Sequence, residues 1–386
     1  MNQSDAFRAL RCTDTGADEP PDPTRTGRSE AGAPFDPVYD YGGVDWDRSF
    51  LADARSMWDF SALLPFATGV SAGEGGTPLV DAPSLAAELD VGALLVKDEG
   101  RNPTGTVLDR GLSLAVTAAR AADADLAAHA SPGNSGQSGA AYASRAGIRS
   151  YAFVPSRAPF SNKAMTNVHG GEMRVAGGRY PDALDALHSQ LQSEWFTLQE
   201  FDAPLRPEGY KTLAYELAGA RADPDAVFVP AGTGEVVYGL VKGFRDLREL
   251  GVVDDLPRVI AAQPSGCAPI STAFDSGRSV EAWDHPDTIV GELEIPDPPG
   301  GDLAVEAVTE TGGRVVTVDD EDALGSAVAA AQAAALEVGA AGGVAAAAAD
   351  ALADEFGPDD TLVVVNTESG VKTADVLRSH LMGQGL

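Results

Sequence analysis

The chain has 386 residues, 44% of them hydrophobic, and carries a formal net charge of −31 from 58 acidic against 27 basic residues. That length supports two core-bearing domains. The charge sets the surface against nucleic acid, because phosphate contacts need clustered Lys/Arg and no such cluster occurs. The same acidity stays soluble where salt screens it, which points to a halophilic, high-salt cytoplasm. Two cysteines, Cys12 and Cys267, lie far apart in the chain, which argues against a disulfide framework and for a reducing compartment. No basic, apolar leader and no run of about 20 apolar residues is evident, so a cytoplasmic location with no membrane partner is expected.

Residues 1–45 are rich in Pro, Gly, Asp and Thr and read as irregular. They include Leu10-Arg11-Cys12-Thr13-Asp14-Thr15-Gly16. Gly73-Glu74-Gly75-Gly76-Thr77-Pro78-Leu79 is a turn, followed by a helix over 82–90 and a strand over 93–97. The loop after that strand runs Val96-Lys97-Asp98-Glu99-Gly100-Arg101-Asn102-Pro103-Thr104-Gly105-Thr106-Val107-Leu108-Asp109-Arg110-Gly111. A helix is predicted from near Asp109 to about Ala122. The loop Ser131-Pro132-Gly133-Asn134 opens an apolar helix ending near Arg145.

Strands over 151–155 and 172–175 bracket a helix over 160–169. The next helix, 181–194, sets Leu184, Leu187 and Leu191 on one face. Such β–α alternation implies a parallel sheet. Pro207-Glu208-Gly209-Tyr210-Lys211-Thr212 starts a further helix, and Ala226–Pro230 is a buried strand. It leads through Ala231-Gly232-Thr233-Gly234-Glu235-Val236 into a helix ending near Leu250. Strands follow at 258–263, 314–318 and 361–365. The acidic cluster Asp319–Asp322 reads as the negative first turn of a helix rather than as a metal site. The Ala-rich run 327–350 reads as one or two buried helices. Thr367-Glu368-Ser369-Gly370-Val371-Lys372 closes the ordered motifs.

These motifs resemble, in order and spacing over about 70–372, those of the fold type II pyridoxal-phosphate (PLP) enzymes, and most closely threonine synthase. The family's cofactor motif reads V-K-D-E-G-x-N-P-T-G-S-F-K-D-R-G, and Leu108 stands where it places the Schiff-base lysine. The resemblance implies an α/β fold of the tryptophan-synthase-beta type, two α/β domains with parallel or mixed sheets and a cleft between them. Residues 1–70 would form an N-terminal arm, 71–115 with 206–386 the large domain, and 116–205 the small one. The family's zinc-ribbon opening L-R-C-x-x-C-G survives only as a degenerate remnant, with Thr15 at the second cysteine. Tetrahedral zinc needs four ligands, so no metal is expected.

PLP chemistry requires an amine, a phosphate cup, a partner for the 3′-oxygen and a partner for the ring nitrogen. Leu108 has no nucleophile and no titratable proton. Lys97, Lys211 and Lys242 match family positions outside the Schiff-base role. The phosphate loop keeps Gly232, Thr233 and Gly234, but Glu235 and Val236 replace a small residue and a hydroxyl donor. Glu235 either supplies the helix N-terminus with its own anion or is a surface residue in a first turn. Asn134 matches the 3′-oxygen partner and equally suits a helix N-cap. Ser131 and Gly133 are kept, while Pro132 removes an N–H donor. Ser369 matches the ring-nitrogen partner, Glu368 replaces a glycine beside it, and Gly339 stands in a run where the family often has V-E-P.

The cofactor-binding positions are thus Asn134, Gly232, Thr233, Gly234 and Ser369. The candidate ligand cleft adds Ser131, Gly133, Asp109, Arg110 and Glu235. The departures gather at the cofactor while the turns survive, so the expectation is a pseudoenzyme without PLP. It would bind a small metabolite or an active paralogue, with a homodimer suggested by the resemblance alone. One alternative is an active PLP-dependent lyase of amino-acid metabolism, of the threonine synthase (O-phosphohomoserine to threonine) or β-replacement type, with a displaced lysine. Another is different chemistry in the same cleft, using Asp109, Arg110, Lys97 or Glu235. The histidines 129, 169, 188, 285 and 380 form no nucleophile–base pattern.

Overall fold

The computed structural model describes residues 2–220 and 222–383. Three sheets organise it. The first is antiparallel and lies in the segment expected to be irregular. Phe7–Cys12 pairs on one side with Asp18–Glu19 and on the other with Phe35–Tyr39. Composition misled here, because the alternation in Phe35-Asp36-Pro37-Val38-Tyr39 buries Phe35 and Tyr39 against Phe7 and Leu10. Packing of this kind outweighs a high Pro and Gly content. Cys12 Sγ lies 3.2 Å from Ser29 Oγ, which closes the loop between the strands.

The second sheet has six strands in the order Arg314–Val318, Arg258–Pro264, Ala226–Pro230, Thr361–Asn366, Ala93–Asp98 and Leu79–Asp81. All pairs are parallel except the last. Ala226–Pro230 is buried along its whole length, as expected of a strand covered on both faces. The Ala-rich run forms the end of one helix, Asp320–Ala334, and most of another, Ala340–Ala351. The break falls at Ala335, whose φ is +53°. The two helices touch closely at Gly343, where a Cβ would lie 2.9 Å from that of Ala327. The acidic first turn expected at 319–322 is present, with Asp320, Glu321 and Asp322 opening the first of these helices.

The third sheet is parallel, ordered Glu172–Val175, Arg149–Val154, Leu126–Ala130 and Phe196–Thr197. The strand Leu126–Ala130 gives little sequence signal, because Leu-Ala-Ala-His-Ala contains no β-branched residue. It is central and wholly buried. Burial holds the His129 imidazole down at about 4, and its Nε2 lies 2.9 Å from the Ser135 carbonyl.

Helix Leu108–Ala121 packs against both helix Asn134–Ala146, beside the third sheet, and helix Arg206–Gly219, beside the second. No helix among the described residues is long and apolar enough to cross a membrane. The loops after Ala130, Pro230, Asp98 and Asn366 all leave the C-terminal ends of parallel strands. In open α/β sheets this is where ligand sites are built.

Candidate functional site

Those loops converge on a cavity of about 80 Å³, lined in part by Thr106, Leu108, Pro132, Thr233, Val236 and Thr367. Leu108 is the first residue of its helix and lines this space. Most of the lining named above is apolar or hydroxyl-bearing, but two carboxylates, Glu200 and Glu292, also face the cavity. Pockets that take small molecules or cofactors span roughly 300–1,000 Å³, so this cavity has room for a few waters.

Of the expected cofactor positions, Gly232 and Thr233 line the cavity. Gly234 holds the loop's shape, with φ +90° and its Cα facing the Gly300 carbonyl. The Thr233 carbonyl accepts from Gly300 N at 3.0 Å. Asn134 is the first residue of its helix rather than the cap. Its Nδ2 donates to Glu368 Oε2 at 2.5 Å. Ser369 turns away from the cavity, donating from Oγ to Glu337 at 3.2 Å.

Within the loop before helix Asn134–Ala146, Ser131 Oγ accepts from Gly133 N at 3.0 Å and from Gly136 N at 2.7 Å. A side chain of the protein thus occupies N–H groups that open a helix. A Cβ on Gly133 would come 2.7 Å from Asn162 Nδ2.

Asp109, Arg110 and Glu235 lie outside the cavity, in buried networks. Arg110 is fully buried and binds Glu99 with Nε at 2.7 Å and Glu216 with Nη1 at 2.7 Å. Lys97 joins the same cluster through Glu216 at 2.6 Å. Asp109 accepts from Thr104 N at 2.7 Å and from Ser138 Oγ at 2.5 Å. Burial pushes its carboxyl up to about 6 against those donors.

Glu235 is 1% exposed and turns inward, meeting Arg206 Nη2 at 3.0 Å, while Glu200 meets the same nitrogen at 3.1 Å. It is therefore not a surface first-turn residue. Burial drives its carboxyl up to about 7, with Arg206 opposing the rise and Glu200 adding to it. Lys211 and Lys242 are likewise bound to carboxylates, both reaching Glu208.

The sequence reading missed Arg206, Glu200, Asn162, Gln137 and the side-chain role of Glu368. An arginine at a helix start and an isolated glutamate carry no pattern that reveals partners made by folding. The Glu368 substitution was visible as a departure, but the contact it makes was not.

Two sheets with loops meeting at their C-terminal strand ends, around a glycine-bearing turn at a helix start, define the fold type II PLP-enzyme architecture. The chain belongs to this family: the family model described as pyridoxal-phosphate dependent enzyme matches residues 70–368. It is similar to the threonine synthase of Methanosarcina acetivorans, at 31% identity over 93% of this chain and 90% of that one. The threonine synthase of Methanocaldococcus jannaschii is 30% identical over 90% of this chain and 88% of its own length. Among solved structures, a fungal L-serine ammonia-lyase from Rhizomucor miehei superposes with a TM-score of 0.70 at 21% identity, covering 81% of this chain and 99% of that chain. Diaminopropionate ammonia lyase from Escherichia coli superposes with a TM-score of 0.71 at 17% identity, covering 98% of both chains. These two carry the fold alone.

The residues present here do not fit the family's cofactor. The side chain at the helix start is leucine, and the cavity is a fraction of a cofactor's size. The Glu368 carboxylate already holds the carboxamide of Asn134. Glu200, paired with Arg206, and Glu292, whose carboxyl burial pushes up to about 8, fill the space beside the Gly232–Thr233 loop.

Proposed function

We propose that this threonine synthase homologue has lost Schiff-base chemistry and acts by binding, either of a small metabolite or of an active paralogue. The observation that carries this reading is Leu108: it lines the cavity at the helix start where the resemblance places the lysine, and no lysine lines that cavity. An imine needs a free amine, and a hydrocarbon side chain offers neither lone pair nor proton. The test is direct: purified protein, supplied with PLP and O-phosphohomoserine in high salt, is assayed for phosphate and threonine. No turnover above a denatured control is expected. Turnover that tracks the protein through purification overturns the reading.

A second reading, an active enzyme with a displaced amine, has one observation in its favour. Lys372 is buried beside the interdomain contact, and its Nζ meets the amide oxygens of Gln137 at 2.7 Å and Asn162 at 3.1 Å instead of a carboxylate. Burial pulls its pKa down, which favours the nucleophilic form. Borohydride reduction in the presence of PLP, followed by peptide mass mapping, separates the two readings. A PLP adduct on Lys372 supports the displaced amine, and its absence supports the loss of chemistry.

A further inference from the structure

The cleft between the second and third sheets is crossed by a chain of side-chain hydrogen bonds running in one direction. Lys372 Nζ donates to Asn162 Oδ1 at 3.1 Å and to Gln137 Oε1 at 2.7 Å. Asn162 Nδ2 donates to Asn134 Oδ1 at 3.1 Å, and Asn134 Nδ2 donates to Glu368 Oε2 at 2.5 Å. Glu368 and Lys372 follow the strand Thr361–Asn366 of the six-stranded sheet. Asn134, Gln137 and Asn162 belong to helices Asn134–Ala146 and Phe160–Val168, beside the four-stranded sheet. All five side chains are buried. Lys372 and Glu368, on one side of the cleft, are therefore joined through two carboxamides, Asn162 and Asn134, on the other, while Gln137 accepts from Lys372 alone. Aligned donors of this kind polarise one another in a low-dielectric interior.

A second observation shows that the protein makes room for the Glu368 side chain. A Cβ on Gly339 would lie 2.6 Å from Glu368 Oε1 and 2.9 Å from its Cδ. The φ of Gly339 is −77°, which any residue adopts, so the backbone does not demand glycine there. What demands it is the space that Glu368 fills. Two departures from the family pattern, at 339 and at 368, are thus parts of one arrangement. Ser161 Oγ adds a contact to the Lys372 carbonyl across the same cleft at 3.2 Å.

We propose that Glu368 is a built-in ligand of the cleft, whose carboxylate latches the two halves of the molecule closed by holding Asn134. The latch goes beyond the function proposed above. Its test involves no cofactor, so failure of one leaves the other standing.

The experiment compares backbone amide exchange in the unaltered chain, Glu368→Gly, Gly339→Ala and the double variant. Glu368→Gly removes the ligand, and Gly339→Ala displaces it by occupying its space. Each single variant is expected to speed exchange at least tenfold over 131–138 and 160–168, while the six-stranded sheet keeps its protection. In the double variant the alanine meets no carboxylate, so the result matches Glu368→Gly alone. Added propionate, the free acid matching the deleted side chain, restores protection in Glu368→Gly, and propanol does not. Exchange unchanged in both single variants overturns the latch, as does a Gly339→Ala effect that persists in full on the Glu368→Gly background. Should Glu368→Gly not fold, Gly339→Ala and Asn134→Ala break the same contact, and unchanged exchange in both overturns the proposal equally.

Discussion

Replacing Glu235 by glutamine should make the protein more stable above neutral pH. Glu235 and Glu200 share one guanidinium, Arg206 Nη2, at 3.0 and 3.1 Å, and all three groups are buried. Burial pushes the Glu235 carboxyl from 4.5 to about 7; Arg206 opposes that rise, and Glu200 adds to it by sharing the same cation. A raised folded-state value means that the folded chain binds this proton more tightly than the unfolded chain does. The associated stability is present in full below 4.5 and is lost as the pH climbs through about 7. At about 1.4 kcal/mol per pH unit, the cost above neutrality reaches up to about 3 kcal/mol. Glutamine keeps the shape of the protonated acid and cannot ionise. Urea unfolding of parent and Glu235→Gln in high salt should therefore coincide near pH 4 and diverge toward pH 8, with the variant the more stable. A variant equal to the parent near pH 8, or less stable there, refutes the reasoning.

Three further outcomes are expected. Arg110→Met strands Glu99 and Glu216 without their shared cation and should cost roughly 3–5 kcal/mol in unfolding free energy. A loss below about 1 kcal/mol shows that Lys97 alone neutralises the cluster. Cys12→Ser, or a strong chelator, should leave the melting temperature unchanged within a few degrees, because Phe7, Leu10, Phe35 and Tyr39 hold the N-terminal sheet; a large chelator effect contradicts this. Lowering the salt from about 1 M to about 0.1 M lengthens the screening distance from roughly 3 to 10 Å. With a net charge of −31 this should lower the melting temperature, and an unchanged melt argues against adaptation to high salt.

Much of the fold was legible because its central strands are short apolar runs bounded by turns. Ala226–Pro230, Glu172–Val175 and Arg314–Val318 fall where the sequence places them. The strands that escaped have physical reasons. Leu126–Ala130 lacks β-branched residues, Phe196–Thr197 is two residues long, and Leu79–Asp81 joins its sheet as an antiparallel edge. The leucine spacing predicts a helix over 181–194, and the observed helix is the shorter Tyr180–Gln190.

At the site, Leu108, Pro132, Glu235 and Glu368 are visible as departures from a pattern. Where each side chain goes is not visible. A first-turn glutamate is stabilised by the helix dipole whether it faces solvent or the core. The inward-turned Glu235 meets Arg206 and Tyr210, and that meeting depends on packing between helices Arg206–Gly219 and Glu235–Glu249. In the same way, the link between Gly339 and Glu368 joins positions 29 residues apart (368 − 339) through space alone.

The measurement that tests the central claim most directly is a visible absorption spectrum of the purified protein in high salt, with and without added PLP. Free PLP absorbs as an aldehyde, and a protein-bound imine adds a separate band that borohydride removes. The account predicts that no such band forms, and that calorimetry detects no PLP binding. A borohydride-sensitive band that saturates at one PLP per chain contradicts it.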